Sequence, residues 1–378
     1  MKILFNCVNN VKGGPVQNSA SFINRAFRDE LNEYRFLVSK AVFNNIDETY
    51  ANDGRIVVLD RIRDGFIRVR QGALAEEYNF SPDLIYSMAG PTYIDFKSLH
   101  VVGVSDGYIS HPDVMSLLSN RNFFDIVKLI AKILLKAIVA RWQSDYLIFQ
   151  TQYALEEYCR RYIFPRDRSF VVSNAVSEIF LKSFLSPITP PADNPVVVFC
   201  PAADYPHKDL RIIFSIIDYL ENSQPDVPHV KFVITVGRDS LLLQCNSKYF
   251  DTNRRFHVEN NGVYKHADAV RLYEESHIVF IPSYFETFST AYLEAIATRR
   301  PLLCADRGFS RDICGAAAIY FCPRSAEDAA LNIVRIIESG FSVDHDVGND
   351  VIKKYGNQEQ RFQAISSILT SIVKKETH

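Results

Sequence analysis

The chain has 378 residues, 42 basic against 44 acidic, a length that accommodates two domains with separate cores and a charge balance that gives no global field to recruit nucleic acid. No apolar run of roughly 18 residues passes without a charge, which excludes a conventional membrane span. Seven scattered cysteines with no C-x-x-C pair read as reduced, buried thiols of a cytosolic protein.

Lys2 to Val8 is a buried-strand pattern, entered with no charged region, long apolar stretch and cleavage site before it, so secretion is not expected. Asn9 to Pro15 follow and carry Gly13-Gly14 ahead of a helix through about Phe27. A strand, a glycine loop and a helix in that order is where α/β folds hold anions, although turn glycines account for the pair about as well. Strand and helix patterns then alternate at Arg55 to Leu59, Phe66 to Tyr78, Asp83 to Ser87 and His100 to Val104. Arg61, Arg63, Arg68 and Arg70 form a basic cluster, suited to an acceptor phosphate or simply solvated. The polar loop Ser105 to Asp113 leaves the carboxyl end of a strand, the edge where ligands of open α/β sheets gather. Asp106 either faces a ligand there or caps backbone N–H groups, and His111 is an imidazole for the site or for a turn.

Arg121 to Arg141 reads as a long helix on which Asp125, Lys128, Lys132 and Lys136 fall in one narrow wedge and nearly everything else is apolar. Burial is the expectation, with the lysines at its one wet edge. The alternative is a helix lying in a membrane interface, lysines toward anionic headgroups, which would make the protein peripheral on the cytoplasmic face of the inner membrane. Tyr146 to Gln150 is another strand. The proline-rich run Ser186 to Asn194 marks an interdomain linker, placed over 174–194. The α/β pattern restarts at Val196 to Cys200, after which Lys208 is expected at the start of a helix, a mobile point charge placed for a phosphate. An idle lysine there would be disfavoured by the helix dipole. Strands follow at Phe232 to Val236 and Arg255 to Val258, with a helix near Asp268 to Ser276.

Ile278 to Ala305 (IVFIPSYFETFSTAYLEAIATRRPLLCA) is strand, turn, helix and strand in succession. Its Glu286 and Glu294 are eight residues apart, roughly 12 Å along a helix, too far to share one proton transfer. That spacing suits a long ligand whose anion lies over the free N–H groups of Thr287, Phe288, Ser289 and Thr290 and whose ends give hydroxyls to the two carboxylates. A sugar nucleotide has this shape. The competing reading makes Ser283 and Glu286 a capping box and Glu294 a solvated charge.

A glutamate, seven residues and a second glutamate in PSYFETFSTAYLEAIATRRPLLCAD resembles the donor-binding signature of family 4 retaining glycosyltransferases of the GT-B fold (glycosyl transferases group 1). The usual Glu-Gly-Phe-Gly opening is Glu286-Thr287-Phe288-Ser289 here. The resemblance implies two doubly wound Rossmann-like α/β domains facing across a cleft: an acceptor-side domain at 1–173, a nucleotide-sugar domain at 195–350, and a helix at 351–378 that crosses back. It implies Glu286 on the sugar, Glu294 on the ribose, and Gly13-Gly14 facing the diphosphate. Asp106 stands on the acceptor side, with Ser105 replacing a histidine that many relatives carry and His111 a candidate substitute. The family's arginine before the lysine is Ala203 here, so His207 and Lys208 of a Pro-His-Lys loop, with Gly237 and Arg238 after the next strand, are the expected diphosphate contacts.

Ala317 to Cys322 and Ala326 to Glu338 complete the second domain, and Val351 to Lys375 is the final helix. Asp344-His345-Asp346 has a D-x-D pattern in a polar loop and reads as a turn, so no metal and no cofactor is expected. The expectation is a metal-independent retaining glycosyltransferase acting on a nucleotide sugar and a glycan or lipid-linked acceptor. A role in bacterial surface polysaccharide or glycolipid assembly goes with it. A sugar-nucleotide epimerase of the same fold, which needs acid/base groups converging on one carbon, and a noncatalytic sugar-nucleotide scaffold are the rivals.

Overall fold

The computed structural model describes residues 1–114, 117, 122–182, 188, 195–224, 226–244, 246–265 and 268–377. The chain divides into two compact units, Met1–Asn174 with Gln358–His378, and Ala175–Asn357.

The first unit is built on seven parallel strands: β1 (Lys2–Cys7), β2 (Glu33–Val38), β3 (Ile56–Val58), β4 (Leu84–Ser87), β5 (His100–Val104), β6 (Tyr146–Phe149) and β7 (Ser169–Val171). Their order is β3-β2-β1-β4-β5-β6-β7, so the winding reverses between β1 and β4. Parallel strands covered on both faces must be apolar throughout, and β1, β4, β5 and β6 are buried almost end to end. On one face Phe5, Tyr86 and Val101 pack with Phe22 of helix Gly14–Ala26 and with Phe362, Ile365 and Leu369 of helix Gln358–Glu376. On the other, Leu4, Leu37 and Ile85 meet Val69 and Ala73 of helix Arg61–Phe80. Val102, Leu147 and Phe149 meet Ala137 and Ala140 of helix Phe123–Gln143. Register puts Leu4 beside Ile85, Ser87 beside Val102 and Val102 beside Leu147, so these last two helices cover the same sheet face.

The second unit has six parallel strands: β8 (Val196–Cys200), β9 (Val230–Ile234), β10 (Phe256–Asn260), β11 (Ile278–Ile281), β12 (Leu302–Ala305) and β13 (Ile319–Phe321). Their order is β10-β9-β8-β11-β12-β13, with the reversal between β8 and β11. Helices Ile212–Ser223 and Ala326–Glu338 pack on one face of this sheet through Ile213, Ile216, Ile217, Ala330 and Ile333.

Several expectations are corrected. The final helix is two helices, His345–Tyr355 in the second unit and Gln358–Glu376 in the first, broken where Gly356 takes φ 58. Asp344-His345-Asp346 is a helix start, since the Asp344 carboxylate accepts from the N–H groups of Asp346 (3.0 Å) and Val347 (3.1 Å). Of the linker residues, 183–187 and 189–194 lie outside the described set. Ala175–Lys182 belong to the second unit, where Val176 N donates to Gly356 O at 3.1 Å and Phe180 meets the Tyr273 ring edge-on. Cys322 is exposed, the other five described cysteines are buried, and Cys245 lies outside the described residues. The long helix expected over 121–141 spans Phe123–Gln143, with Arg121 outside the described residues, and it is not buried: only Ile133, Ala137 and Ala140 are covered.

Candidate functional site

In a doubly wound sheet the loops leaving the carboxyl ends of the two strands at the reversal diverge and leave a crevice between them. In the second unit these are the loops after β8 and β11, and they are stitched together. Tyr284 N donates to His207 O at 3.1 Å. Lys208 Nζ donates to Glu286 Oε1, in an ion pair whose side chains are only 16 % and 11 % exposed. The His207 ring stacks on Tyr205 at 5.6 Å and meets Phe285 edge-on at 6.4 Å. Burial holds the imidazole below its usual pKa, Lys208 adding to this and Glu286 opposing it, so the ring is neutral near pH 7.

Neither charged residue stands at a helix mouth. Lys208 ends a 3₁₀ turn, Pro206–Lys208, Asp209 turns left-handed with φ 51, and the helix begins only at Ile212. Glu286 lies in an irregular loop, and its helix is Thr290–Ala297 with Ser289 at the cap position. The first N–H groups of that helix are those of Thr290 and Ala291, since Tyr292 N already donates to Ser289 O at 3.4 Å; those of Thr287 to Ser289 lie in the loop before it. Thr287 is buried, and Phe288 packs edge-on against Tyr355 at 5.5 Å. Ser283 is no cap: its hydroxyl is buried without a hydrogen-bond partner among the described residues, seven residues before the helix.

Glu294 is not a solvated charge. It is 8 % exposed, and its Oε2 accepts from the Tyr273 hydroxyl at 2.8 Å. Burial first, and the Glu294 charge second, raise the Tyr273 phenol well above its ordinary pKa and push Tyr264 up to about 12. Glu294 thus lies among two phenols, with Tyr273 held in turn by ring contacts to Phe199 and Phe180. Arg238 is exposed on the loop after β9, next to Gly237, and a Ser240–Asp204 hydrogen bond ties that loop to the one after β8.

The first unit's reversal falls between β1 and β4, and its loops are likewise tied. Asn10 Nδ2 donates to Met88 O at 3.1 Å, and Asn9 Nδ2 to Thr92 O at 3.2 Å. Gly13 takes φ 67 at the start of helix Gly14–Ala26, and no atom lies within 4 Å of where a Cβ would stand on Gly13 or Gly14. Glycine at the first is a conformational need, and space above both is open. Asp106 caps Tyr108 N at 3.0 Å and accepts from Lys136 Nζ at 2.7 Å. His111 is buried, with Nδ1 2.8 Å from Ser110 Oγ and its ring edge-on to Tyr153.

Within each unit the structure brings His207, Lys208 and Glu286 together, and Asp106 with Lys136. Tyr273, Tyr205 and Asp209 carried no signal in the sequence, because their importance comes from partners remote along the chain. Asp209 is the most telling. Burial raises its carboxyl to about 6, with Arg324 pulling the other way. Its folded pKa exceeds the unfolded value, so its ionisation destabilises the fold fully above pH 6 and not at all once both states are protonated. Asp209→Asn keeps a side chain that tolerates positive φ. It should stabilise the chain at pH 7.5 by on the order of 1 kcal/mol, allowing for partial exposure, and the gain should shrink as pH falls from about 6 toward about 4. Unfolding midpoints at the two pH values measure it; an equal gain at both would mean that the carboxyl is not raised.

Residues 194–339, which contain Lys208, Glu286 and Glu294, match the family described as Glycosyl transferases group 1. No curated protein sequence is significantly similar to the chain. Among solved structures, the Anabaena protein HepE in complex with UDP-glucose is similar with TM-score 0.70 and 16 % identity, over 98 % of this chain and 100 % of that one. Sucrose-phosphate synthase from Thermosynechococcus elongatus follows at 0.68 and 14 %, over 99 % and 100 %. The lipopolysaccharide outer core galactosyltransferase WaaB in its apo form gives 0.65 and 15 %, over 98 % and 99 %. The fold of two Rossmann-like units is GT-B.

Proposed function

We propose that this chain, whose second unit matches glycosyl transferases group 1 on a GT-B fold, moves a sugar from a nucleoside-diphosphate donor to an acceptor hydroxyl with retention of anomeric configuration. The observation that carries the reading is the pair of carboxylates at one sheet edge: Glu286 joined to Lys208 in the β8–β11 crevice, and Glu294 eight residues on, buried against Tyr273. Lys208, Arg238 and the N–H groups from Thr290 onward supply positive charge for the diphosphate, with His207 orienting the loop. Glu286 holds sugar hydroxyls, Glu294 the ribose, and Asp106 and His111 serve the acceptor side. A hydroxylic glycan or lipid-linked acceptor in surface polysaccharide or glycolipid assembly agrees with the WaaB likeness. The six described cysteines are free thiols, which agrees with a cytoplasmic setting.

Transfer needs no divalent metal in this reading, because Lys208 and the helix N–H groups meet the developing charge and Asp344, the first carboxylate of the D-x-D run, is engaged as a helix cap. With a panel of nucleotide sugars and acceptors, product detected by intact mass should form at an unchanged rate in excess EDTA. Its linkage, read from the anomeric proton coupling, should match the donor's. Activity lost in EDTA and restored by magnesium or manganese overturns metal independence, and an inverted linkage overturns retention. An altered sugar nucleotide with no acceptor product would mark an epimerase instead.

A further inference from the structure

Helix Phe123–Gln143 presents to solvent a face that a monomeric soluble protein rarely exposes. Phe123, Phe124, Val127, Leu134, Ile138 and Trp142 are each between 48 and 83 % exposed. At about 100° per residue they lie within one arc of roughly 100°, next to the narrow stripe of Ile133, Ala137 and Ala140 that meets the sheet. Lys128 and Lys132, both exposed, border one side of that arc, and exposed Arg141 stands at its other edge. Lys136, one turn further round, is held by Asp106.

The neighbouring helix on the same sheet face, Arg61–Phe80, begins in the same manner. Ile62 and Ile67 are 89 % and 71 % exposed among the exposed arginines Arg61, Arg63, Arg68 and Arg70. Bare apolar side chains interleaved with cations are unlike the core of a protein interface, which is depleted of charge. They suit a surface that is apolar below and anionic above. Among the described residues no helix is long and apolar enough to cross a membrane, so such a helix lies in the plane, about 31 Å long at 1.5 Å per residue, its aromatic ends at headgroup level.

We infer that the first unit docks on an anionic phospholipid surface through helix Phe123–Gln143, with the arginine-rich start of helix Arg61–Phe80 as a second electrostatic contact. Lys128 and Lys132 face the headgroups, Phe124 and Trp142 sit at headgroup level, and Leu134 and Ile138 reach the acyl boundary. The inference goes beyond the transfer reading and does not depend on it, since lipid binding is measured without donor or acceptor.

Trp142 is the only tryptophan of the chain, so its emission reports this face alone. With the full-length protein and vesicles of phosphatidylcholine containing one third phosphatidylglycerol, its emission should shift to the blue and the protein should cosediment. Binding should weaken from 0.1 M to 1 M salt and be far weaker on pure phosphatidylcholine. Lys128→Gln with Lys132→Gln should weaken binding about 25-fold, about fivefold per cation. Phe124→Ser with Leu134→Ser should abolish the blue shift; both sites are exposed, so circular dichroism should match the wild type. No shift with anionic vesicles overturns the inference, as does binding equal on both vesicle types or insensitive to the lysine changes. A blue-shifted emission at doubled molecular mass without vesicles also overturns it, by assigning the face to a second copy of the chain.

Discussion

Glu286→Gln should lower turnover about a hundredfold while leaving nucleoside diphosphate affinity unchanged or raised. The sign of the second effect comes from the ion pair. Lys208 Nζ donates to Glu286 with both side chains largely buried, so in the ligand-free chain the cation proposed for the diphosphate is partly neutralised by the carboxylate proposed for the sugar. A diphosphate must compete with that carboxylate for Lys208. Glutamine competes less, because its oxygen carries no net charge and the Coulomb attraction of the ion pair is lost, leaving only an ion–dipole hydrogen bond. The loss of turnover has a separate origin: a sugar no longer held by its hydroxyls presents its anomeric carbon out of line, and small misplacements cost about two orders of magnitude. Lys208→Ala acts the other way. Losing a charged hydrogen bond to the diphosphate costs about 1.5 to 3 kcal/mol, or roughly ten- to over a hundredfold in affinity. Calorimetry with nucleoside diphosphate, beside initial rates at saturating donor, separates the two. Unchanged affinity in Lys208→Ala removes the cation from the site, and unchanged turnover in Glu286→Gln removes the carboxylate from the sugar.

What the sequence made legible follows the range over which each feature is determined. The unit from β11 to β12 was readable because Ile278–Ile281 and Leu302–Ala305 are fully buried strands, and burial on both faces writes itself as an uninterrupted apolar run. The start of the helix between them was not. Ser283 and Glu286 have capping-box spacing, yet the loop through Ser289 stays irregular, held by Tyr284 on His207, Glu286 on Lys208 and Phe288 on Tyr355. Those partners are remote in sequence, and no local pattern encodes them. Lys208 was placed at a helix start for the same reason, whereas Pro206 and the left-handed Asp209 hold the loop in a turn until Ile212. Strand β2, EYRFLV, carries two charged residues and gives no clear apolar run, although it pairs with β1 along its whole length. Helix Phe123–Gln143 failed differently. Its composition says how apolar it is but not how much of it the sheet can cover, and the sheet takes only a stripe with alanine at two of its three buried positions.

Glu294→Ala should cost both nucleotide affinity and stability, and the two losses should come apart when Tyr273 is changed as well. In the folded chain Glu294 Oε2 accepts the Tyr273 hydroxyl at 2.8 Å, and both side chains are almost fully buried. Truncating Glu294 leaves the phenol buried without its acceptor, a penalty of about 1 to 3 kcal/mol, whereas removing both polar partners can be nearly neutral. Glu294→Ala should therefore be less stable than the double variant Glu294→Ala with Tyr273→Phe, read as a difference in urea midpoint with the slope unchanged. Nucleoside diphosphate binding has no such rescue. If Glu294 accepts the ribose hydroxyls, the single and the double variant lose the same roughly ten- to over a hundredfold in affinity. Tyr273→Phe alone, which frees a carboxylate oxygen without removing the carboxylate, should bind at least as well as wild type. Affinity that recovers in the double variant together with stability would make Glu294 a structural carboxylate and leave the ribose to other groups. Affinity that stays low while stability returns assigns the ribose to Glu294, because the double variant has regained its stability and still lacks the carboxylate.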